Sequence, residues 1–146
     1  MKHIRIINPD VQTLDEITAL VEKVTTKNWK PAVYIGYITA NLPFDTLALF
    51  GAVDDSGSLR GIIQMEIPHP LSPEMGYMQM CASHSDVPIE DGLAVLKLAE
   101  EWLKSKGATK WRCWTTVNPK LLMRKYKFSY CGKIDDEHVL GRDIQV

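Results

Sequence analysis

Apolar residues recur along this chain at two spacings, one typical of strands and the other of amphipathic helices. Short alternating or continuous apolar runs predict strands at residues 4–7, 47–53, 60–67, 74–82, 110–117, 128–134 and 139–144. Spacings of three and four predict helices that begin at Thr13, span residues 92–106 and run from Asn118 to about Tyr126. Residues 29–43 fit helix or strand, and the first helix is expected to fade at the polar residues 25–28. This order predicts a mixed α/β sheet with helices on its faces.

Local signals place several element ends. Thr13 and Glu16 have the spacing of a capping box, in which each side chain satisfies a free backbone N–H of the other residue. Residues 54–57 form a turn signal between two strands, which are therefore predicted to make a hairpin. Gly107 is predicted to end the long helix, and Asn118 to cap the short helix that follows.

Length and composition narrow the class of protein. The 146 residues suit one domain over residues 1–146, and the content of 45% hydrophobic and 24% charged residues excludes collagen-like, low-complexity and disordered chains. No apolar run approaches the ~20 residues that cross a bilayer. The apolar stretch at the N-terminus is too short for a signal peptide. We therefore expect a cytoplasmic protein with no membrane partner.

The cysteines carry little chemistry in sequence. The chain has three, Cys81, Cys113 and Cys131, and no CxxC spacing. An odd number without that spacing argues against a disulfide framework and against a zinc site, so we expect no metal. Reduced thiols buried as small apolar groups are the expected state.

Charge is spread unevenly, although the formal net charge is −1. Residues 102–134 carry nine basic side chains and no acidic one. Such a stretch suits an anionic ligand or partner, unless folding mixes it with the acidic parts of the chain. Trp111, Trp114 and Tyr126 interleave with these cations, which suits nucleic acid. That hypothesis is disfavoured because at least one tryptophan of an alternating strand belongs in the core and the whole chain is not basic.

Three features, in their order along the chain, resemble the general N-acetyltransferase (GNAT) superfamily. They are the hairpin around residues 54–57 with Gly51 and Gly61 beside it, the run 92–96 that opens a helix ended by Gly107 and followed by a strand, and the Asn118-capped helix that leads to Phe128. The resemblance covers most of the chain and is best from residue 47 onward. It implies an α/β fold with a mixed, mostly antiparallel central sheet of six to seven strands and helices on both faces.

The resemblance also implies an activity, the transfer of an acyl group from acetyl-CoA, as co-substrate, to an amine that the sequence does not identify. Backbone N–H groups that open a helix would hold the diphosphate, and a splayed strand edge would bind the pantetheine. The positions carried over for cofactor binding are Met80, Cys81 and Ala82 for the pantetheine, Gly92, Leu93 and Ala94 for the diphosphate, and Asn118, Lys120 and Arg124 on the last helix.

The chain departs from the family pattern at the diphosphate loop. Ile89 stands where Gln or Arg is usual, and Asp86, Glu90 and Asp91 add three carboxylates, while residues 83–91 hold no Lys or Arg. Two like charges ~4 Å apart cost about 1 kcal/mol in water and ~4 kcal/mol at a protein surface. The dipole of an exposed helix terminus offers only ~0.3–1 kcal/mol. Repulsion is therefore predicted to oppose a bound diphosphate.

Few side chains qualify for the proton transfers of this chemistry. Met123 stands at the place of the family's usual acid, a Tyr, so Tyr126, about one turn on, is the predicted substitute. Glu66, within an apolar strand, is the first candidate base, and His84, just past the next strand, is the second. Cys81 has no basic neighbour in the sequence and is not expected to act as a nucleophile.

Two main functions remain open. The first is an N-acyltransferase that acts on a primary amine, favoured by the usual occupation of the fold. The second is a catalytically inactive GNAT-fold protein that acts through protein partners or self-association, for example a bacteriophage virion or assembly component located in the host cytoplasm or the virion. The acidic helix-start loop and Met123 favour this second function.

Overall fold

Strands and helices follow one another in the order that the apolar spacings predict. The computed structural model describes residues 1–24, 30–115 and 118–144. The strands are β1 (Lys2–Ile6), β2 (Leu47–Val53), β3 (Leu59–Glu66), β4 (Met75–Ser83), β5 (Lys110–Thr115), β6 (Ser129–Ile134) and β7 (Glu137–Asp143). The helices are α1 (Val11–Glu22), α2 (Pro31–Asn41), α3 (Ile89–Ser105) and α4 (Pro119–Tyr126).

The strands form one sheet in the order β1-β2-β3-β4-β5-β7-β6. Every neighbouring pair is antiparallel except β4 and β5, which run parallel. A parallel pair needs a long crossover connection, which α3 supplies here. The mixed, mostly antiparallel sheet of seven strands confirms the expected architecture.

Helices cover both faces of the sheet, as predicted. On one face, α1 and α2 bury Ile17, Leu20 and Ile38 against the sheet. On the other face, α3 packs against the sheet through Leu103, close to Trp111, which is 0% exposed. The sheet therefore separates two apolar cores, and a side chain on any inner strand points into one or the other.

A register shift in β4 changes which core its side chains enter. Met65 of β3 pairs with Met78, but Gln64 pairs with Met80, so Gln79 has no partner in β3. Before the shift, Met78 belongs to the core under α3; after it, Met80 belongs to the core under α1 and α2. One extra residue in a strand has this effect because side chains alternate between faces.

Beyond this shift, β4 separates from β5. The two strands pair only from Met75 with Lys110 to Tyr77 with Arg112, and among the described residues no pair follows. The carboxyl-terminal half of β4 therefore lacks a strand neighbour on that side, and a cleft opens between residues 78–83 and 113–115.

Helix starts differ in part from the sequence prediction. Asp10, not Thr13, caps α1, and its Oδ1 accepts from the Thr13 N–H at 2.8 Å. Glu16 is not part of a capping box, because its Oε2 accepts from the Leu59 N–H of β3 at 2.5 Å. The ambiguous segment forms helix α2 from Pro31 onward, since a helix buries Tyr34 and Ile38 on one face.

α3 begins three residues earlier than predicted, at Ile89. The carbonyl of Pro88 accepts from the N–H groups of both Asp91 and Gly92 at 3.1 Å, which closes a first turn ahead of the glycine. The predicted ends at Gly107, with φ +95°, and at Asn118, whose Oδ1 accepts from the Lys120 N–H at 3.0 Å, are confirmed. The predicted helix end at residues 25–28, and the strand end at residues 116–117, lie outside the described residues.

The three cysteines are free, but only Cys113 is buried. The expectation of buried thiols is wrong for Cys81 and Cys131, which are exposed on β4 and β6. Within the described ranges, no group of three or more His, Cys, Asp or Glu residues could hold a metal ion. No helix of those ranges is long and apolar enough to cross a membrane.

Two glycines, Gly141 in the sheet and Gly36 in a helix, offer a test of this packing. A Cβ at Gly141 on β7 would lie 2.2 Å from the backbone oxygen of Trp111. A Cβ at Gly36, on the exposed side of α2, would meet nothing within 4 Å. We expect Gly141→Ala to lower the free energy of unfolding in urea by about 2–3 kcal/mol. Gly36→Ala should raise it by about 0.5–1 kcal/mol, since alanine favours helix. Equal midpoints for the two variants would contradict the close approach of β5 and β7.

Candidate functional site

The cleft between β4 and β5 ends at the first turn of α3, where Tyr126 of α4 also lies. A Cβ placed on Gly92 would sit 3.5 Å from the Tyr126 ring and 3.7 Å from its hydroxyl oxygen. Cys81 of β4 and Cys113 of β5 are near enough to act electrostatically on one another, and Cys81 acts on Tyr126 as well. The fold therefore brings together four of the predicted or neighbouring positions on the α3 face: Cys81, Gly92, Cys113 and Tyr126.

On the opposite face, an aromatic pair spans the two strands just where they part. The rings of Tyr77 on β4 and Trp114 on β5 stack with centroids 5.1 Å apart and planes within 8° of parallel. This stack closes the narrow end of the cleft, so that the open part lies toward α3.

The free N–H groups of α3 are not those that the resemblance implied. Because the helix begins at Ile89, the N–H of Gly92 already donates to Pro88, and Leu93 and Ala94 lie within the regular helix. No side chain caps this terminus, so the N–H groups of Ile89 and Glu90 are the free donors of the first turn. The binding of a diphosphate by Gly92, Leu93 and Ala94 stays a prediction, and the N–H groups that the helix leaves free are those of Ile89 and Glu90.

The acidic residues around this terminus are mostly engaged elsewhere. The carboxylate of Asp91 accepts from the His3 imidazole of β1 at 2.7 Å, and this hydrogen bond lowers the pKa of Asp91. Asp86 accepts from Arg60 of β3 at 2.9 Å, which lowers the pKa of Asp86 as well. Among the described residues, Glu90 has no ion-pair partner. The structure thus offsets the charge of Asp86 with Arg60 and turns Asp91 toward His3, while Glu90 is left unpaired.

Tyr126 has the properties of a proton donor. Its ring stacks on Phe128 at 5.7 Å, and Arg142 of β7 donates to its backbone carbonyl at 3.1 Å. Burial raises the pKa of its phenol, with the neighbouring Cys81 adding to the shift. The phenol therefore holds its proton at neutral pH, as a general acid must. Met123, which has no proton to donate, packs against the core.

Cys81 lies in the cleft without activation. Its side chain reaches solvent through the gap, but the protein surrounding the sulfur desolvates it and raises the pKa of the thiol to about 11. A thiol with that pKa is protonated at neutral pH and is a poor nucleophile.

Glu66 lies at the other side of the sheet, in a cavity of about 600 Å³ between α2 and strands β3 and β4. The cavity is lined by Lys30, Val33, Tyr34, Tyr37, Gln64, Glu66 and Gln79. The Tyr37 hydroxyl donates a short hydrogen bond to Glu66 Oε1. Desolvation, followed by this bond to the carboxylate, raises the pKa of Tyr37 to about 12. Glu66 is thus an oriented carboxylate in a partly closed space.

His84 does not join Glu66. The backbone N–H of His84 donates to the backbone carbonyl of Arg60. Arg60 lies six residues before Glu66 along β3, so ~20 Å of strand separates the two positions. Lys23, the C-cap residue just after α1, contacts His84 Nδ1 at 2.5 Å. The pKa of His84 is lowered, first by desolvation and then by Arg60 and Lys23. The two candidate bases therefore lie far apart, and Glu66 lies beside the cavity beneath α2.

The three predicted cofactor contacts at α4, Asn118, Lys120 and Arg124, do not all lie at the same place. Asn118 and Lys120 line a second cavity, of about 620 Å³, with Met123, Tyr130 and His138. The side-chain oxygen of Asn118 caps α4, and Arg124 is exposed on the same helix. Their role in cofactor binding remains a prediction.

Several residues of these sites were not predicted from the sequence. Gln64 shares a strand face with Glu66 two residues on, a spacing that could have indicated it. Gln79 lines the cavity from β4 and lies two residues after Tyr77, on the same strand face, so strand spacing could have indicated it as well. Arg60 and Lys23 reach the loop before α3 from distant elements, so that no local pattern indicates them.

Comparison with known proteins supports the fold. No protein-family model matches the chain, and no curated protein matches it by sequence. The aminoglycoside 6'-N-acetyltransferase of Enterococcus faecium matches with a TM-score of 0.80 at 11% identity, over 100% of this chain and 98% of that one. An aminoglycoside 6'-N-acetyltransferase complexed with coenzyme A matches with a TM-score of 0.82 at 12% identity, over the same shares. The PaiA N-acetyltransferase of Thermoplasma acidophilum, in complex with coenzyme A, gives 0.69 at 13%, over 98% and 99%.

At these identities the similarity is one of fold. The chain has the GNAT fold over its whole length, which confirms the architecture inferred from the sequence. The similar structures are acetyltransferases and give no support to a bacteriophage or virion origin.

The state of Cys81 can be tested by alkylation. A pKa of about 11, against 9.0 for an ordinary thiol, leaves on the order of 100-fold less thiolate at neutral pH. We expect iodoacetamide to label Cys81 in the native protein that much more slowly than in urea, and to label it faster as the pH approaches 11. Peptide mass spectrometry would follow the labelling, with exposed Cys131 as the internal reference. Rapid labelling of native Cys81 at pH 7 would show an activated thiolate instead.

Proposed function

We propose that this protein is an N-acyltransferase that moves an acyl group from acyl-CoA, acetyl-CoA being the simplest, to a primary amine. The observation that carries the proposal is the separation of β4 from β5 beside the uncapped first turn of α3. A strand edge without a partner and a helix terminus with free N–H groups are complementary to the amides and the diphosphate of coenzyme A, respectively.

The chain's own residues fit such a co-substrate. Past Tyr77, the backbone of Met80, Cys81 and Ala82 lies on the open side of β4 and can pair with the pantetheine amides. The N–H groups of Ile89 and Glu90 would face the diphosphate. Arg60 offsets the charge of Asp86, and Lys23, beside His84, adds a positive charge to a loop that has no Lys or Arg of its own.

Proton transfer would use both faces of the sheet. The acceptor nitrogen forms a bond to the thioester carbonyl carbon and loses a proton to Glu66, on the α2 face. The carbon–sulfur bond then breaks as Tyr126, on the α3 face, gives its proton to the sulfur. The gap between β4 and β5 is where these faces communicate, and solvent returns each group to its starting state.

The non-catalytic alternative has lost part of its basis. It depended on the acidic loop before α3 and on Met123 at the acid position. The carboxylates of Asp86 and Asp91 are held by Arg60 and His3, and Tyr126 supplies a protonated phenol beside the cleft. Calorimetry with acetyl-CoA decides between the two functions, since absence of heat at millimolar ligand would eliminate the transferase.

Glu90 offers a charge test of the diphosphate position. Removing its unpaired negative charge with Glu90→Gln should tighten acetyl-CoA binding by about two- to fivefold, measured as Kd by calorimetry. Glu101→Gln removes the same charge from an exposed position three turns along α3 and should leave Kd unchanged. Identical Kd values for Glu90→Gln and the unmodified protein would place the diphosphate away from this terminus.

Tyr126 offers a test of the acid. Tyr126→Phe keeps the ring stacked on Phe128 but removes the proton, so kcat for CoA release should fall by about 10- to 100-fold with KM for acetyl-CoA unchanged. Ser56→Ala removes a hydroxyl from the exposed turn between β2 and β3 and should have no effect on either constant. A Tyr126→Phe enzyme with full kcat would exclude the phenol as the proton donor.

A further inference from the structure

Gln64 is the unexplained polar group of the cavity beneath α2. It lies on the face of β3 that Glu66 shares, and it is 0% exposed. Neither its side-chain oxygen nor its side-chain nitrogen has a hydrogen-bond partner among the described residues. Buried amides without partners are rare and costly in native proteins, so a group of this kind calls for a reason.

The place of Gln64 supplies that reason. Its side chain contributes to the lining of a cavity of about 600 Å³, which also contains the Glu66 carboxylate and Gln79 of the β4 shift. A ligand with a matching donor and acceptor would satisfy both atoms of the Gln64 amide at once. An apolar ligand of the same size would leave both atoms unsatisfied and would bind less well.

The charge of the cavity limits the ligand further. Among the described lining residues, Glu66 is the one carboxylate and Lys30 the one cation. One carboxylate, oriented by Tyr37, can hold one ammonium group. A ligand with several positive charges would leave the others unpaired beside Lys30, which disfavours polycations.

We propose that this cavity selects the acceptor: a small primary monoamine that carries one uncharged carboxamide or hydroxyl group, which Gln64 recognises. The inference rests on the proposed acyl transfer, because it names the substrate class of that reaction. Gln64 is then a specificity-determining residue, whose amide would gain hydrogen-bond partners from the bound acceptor.

The test compares two amines of similar shape. Glycinamide carries a carboxamide where isobutylamine carries an isopropyl group, and spermidine represents polycations. For the unmodified protein we expect kcat/KM with acetyl-CoA to rank glycinamide first and spermidine last. In Gln64→Met, the ratio of kcat/KM for glycinamide to that for isobutylamine should fall by at least about tenfold. The intrinsic reactivity of each amine cancels when this ratio is compared between proteins.

Two controls separate a loss of recognition from a general effect of the replacement or a loss of stability. Gln12→Met makes the same replacement on the exposed face of α1 and should leave the ratio unchanged. Gln64→Met should melt at the same or a higher temperature than the unmodified protein, because it removes an unsatisfied buried amide. A preserved ratio in Gln64→Met, or a preference for spermidine or isobutylamine in the unmodified protein, would overturn the inference.

A binding measurement separates this inference from the proposed reaction. The side-chain NH₂ resonances of Gln64 should shift with glycinamide and not with isobutylamine. That selectivity without any CoA release supports the cavity's role and overturns the transferase. Release of CoA without selectivity overturns the role of Gln64 and leaves the transferase, and the absence of both overturns both.

Discussion

The early end of pairing between β4 and β5 is the constraint on which the rest of the site depends. Three residue pairs hold the two strands together, and a register shift follows at once in β4. The gap exposes a strand edge toward α3, and Gln79, the residue without a partner in β3, lines the cavity of Glu66. Continued pairing with β5 would have closed the cleft, and without the register shift the later residues of β4 would have entered the opposite cores.

A buried ionic network keeps the walls of this gap in place. Glu100 of α3, 7% exposed, accepts from the Trp111 indole of β5 at 3.2 Å and pairs with Arg142 of β7 at 2.8 Å. The same Arg142 donates to the backbone of Tyr126. Because a buried carboxylate is costly unless both of its oxygens are engaged, this arrangement strongly favours one relative placement of α3, β5 and α4. The position of the Tyr126 phenol beside Gly92 follows from it.

The sequence predicted the parts of this structure that depend on neighbours along the chain. Alternating apolar residues located every strand, and Gly107 and Asn118 located two helix ends, because those signals act within a few residues. The register shift at Gln79 depends on what β3 offers opposite it, and no pattern within β4 encodes that partner. The sequence did not predict the buried, unpartnered amide of Gln64 either, because a glutamine in a strand is expected on the solvent-exposed face.

The charge around the start of α3 also depends on residues that are distant in the sequence. Counting residues 83–91 gave three carboxylates and no Lys or Arg, and repulsion of ~1–4 kcal/mol per close pair then outweighs a helix dipole of ~0.3–1 kcal/mol. Folding brings Arg60 from β3, Lys23 from the end of α1 and His3 from β1 to residues 83–91, where their partners lie 26 to 88 residues away in the chain. Two carboxylates are thereby turned toward partners of their own. The local field near the free N–H groups is set by these distant side chains, so an acidic loop sequence and an anion-binding terminus are compatible.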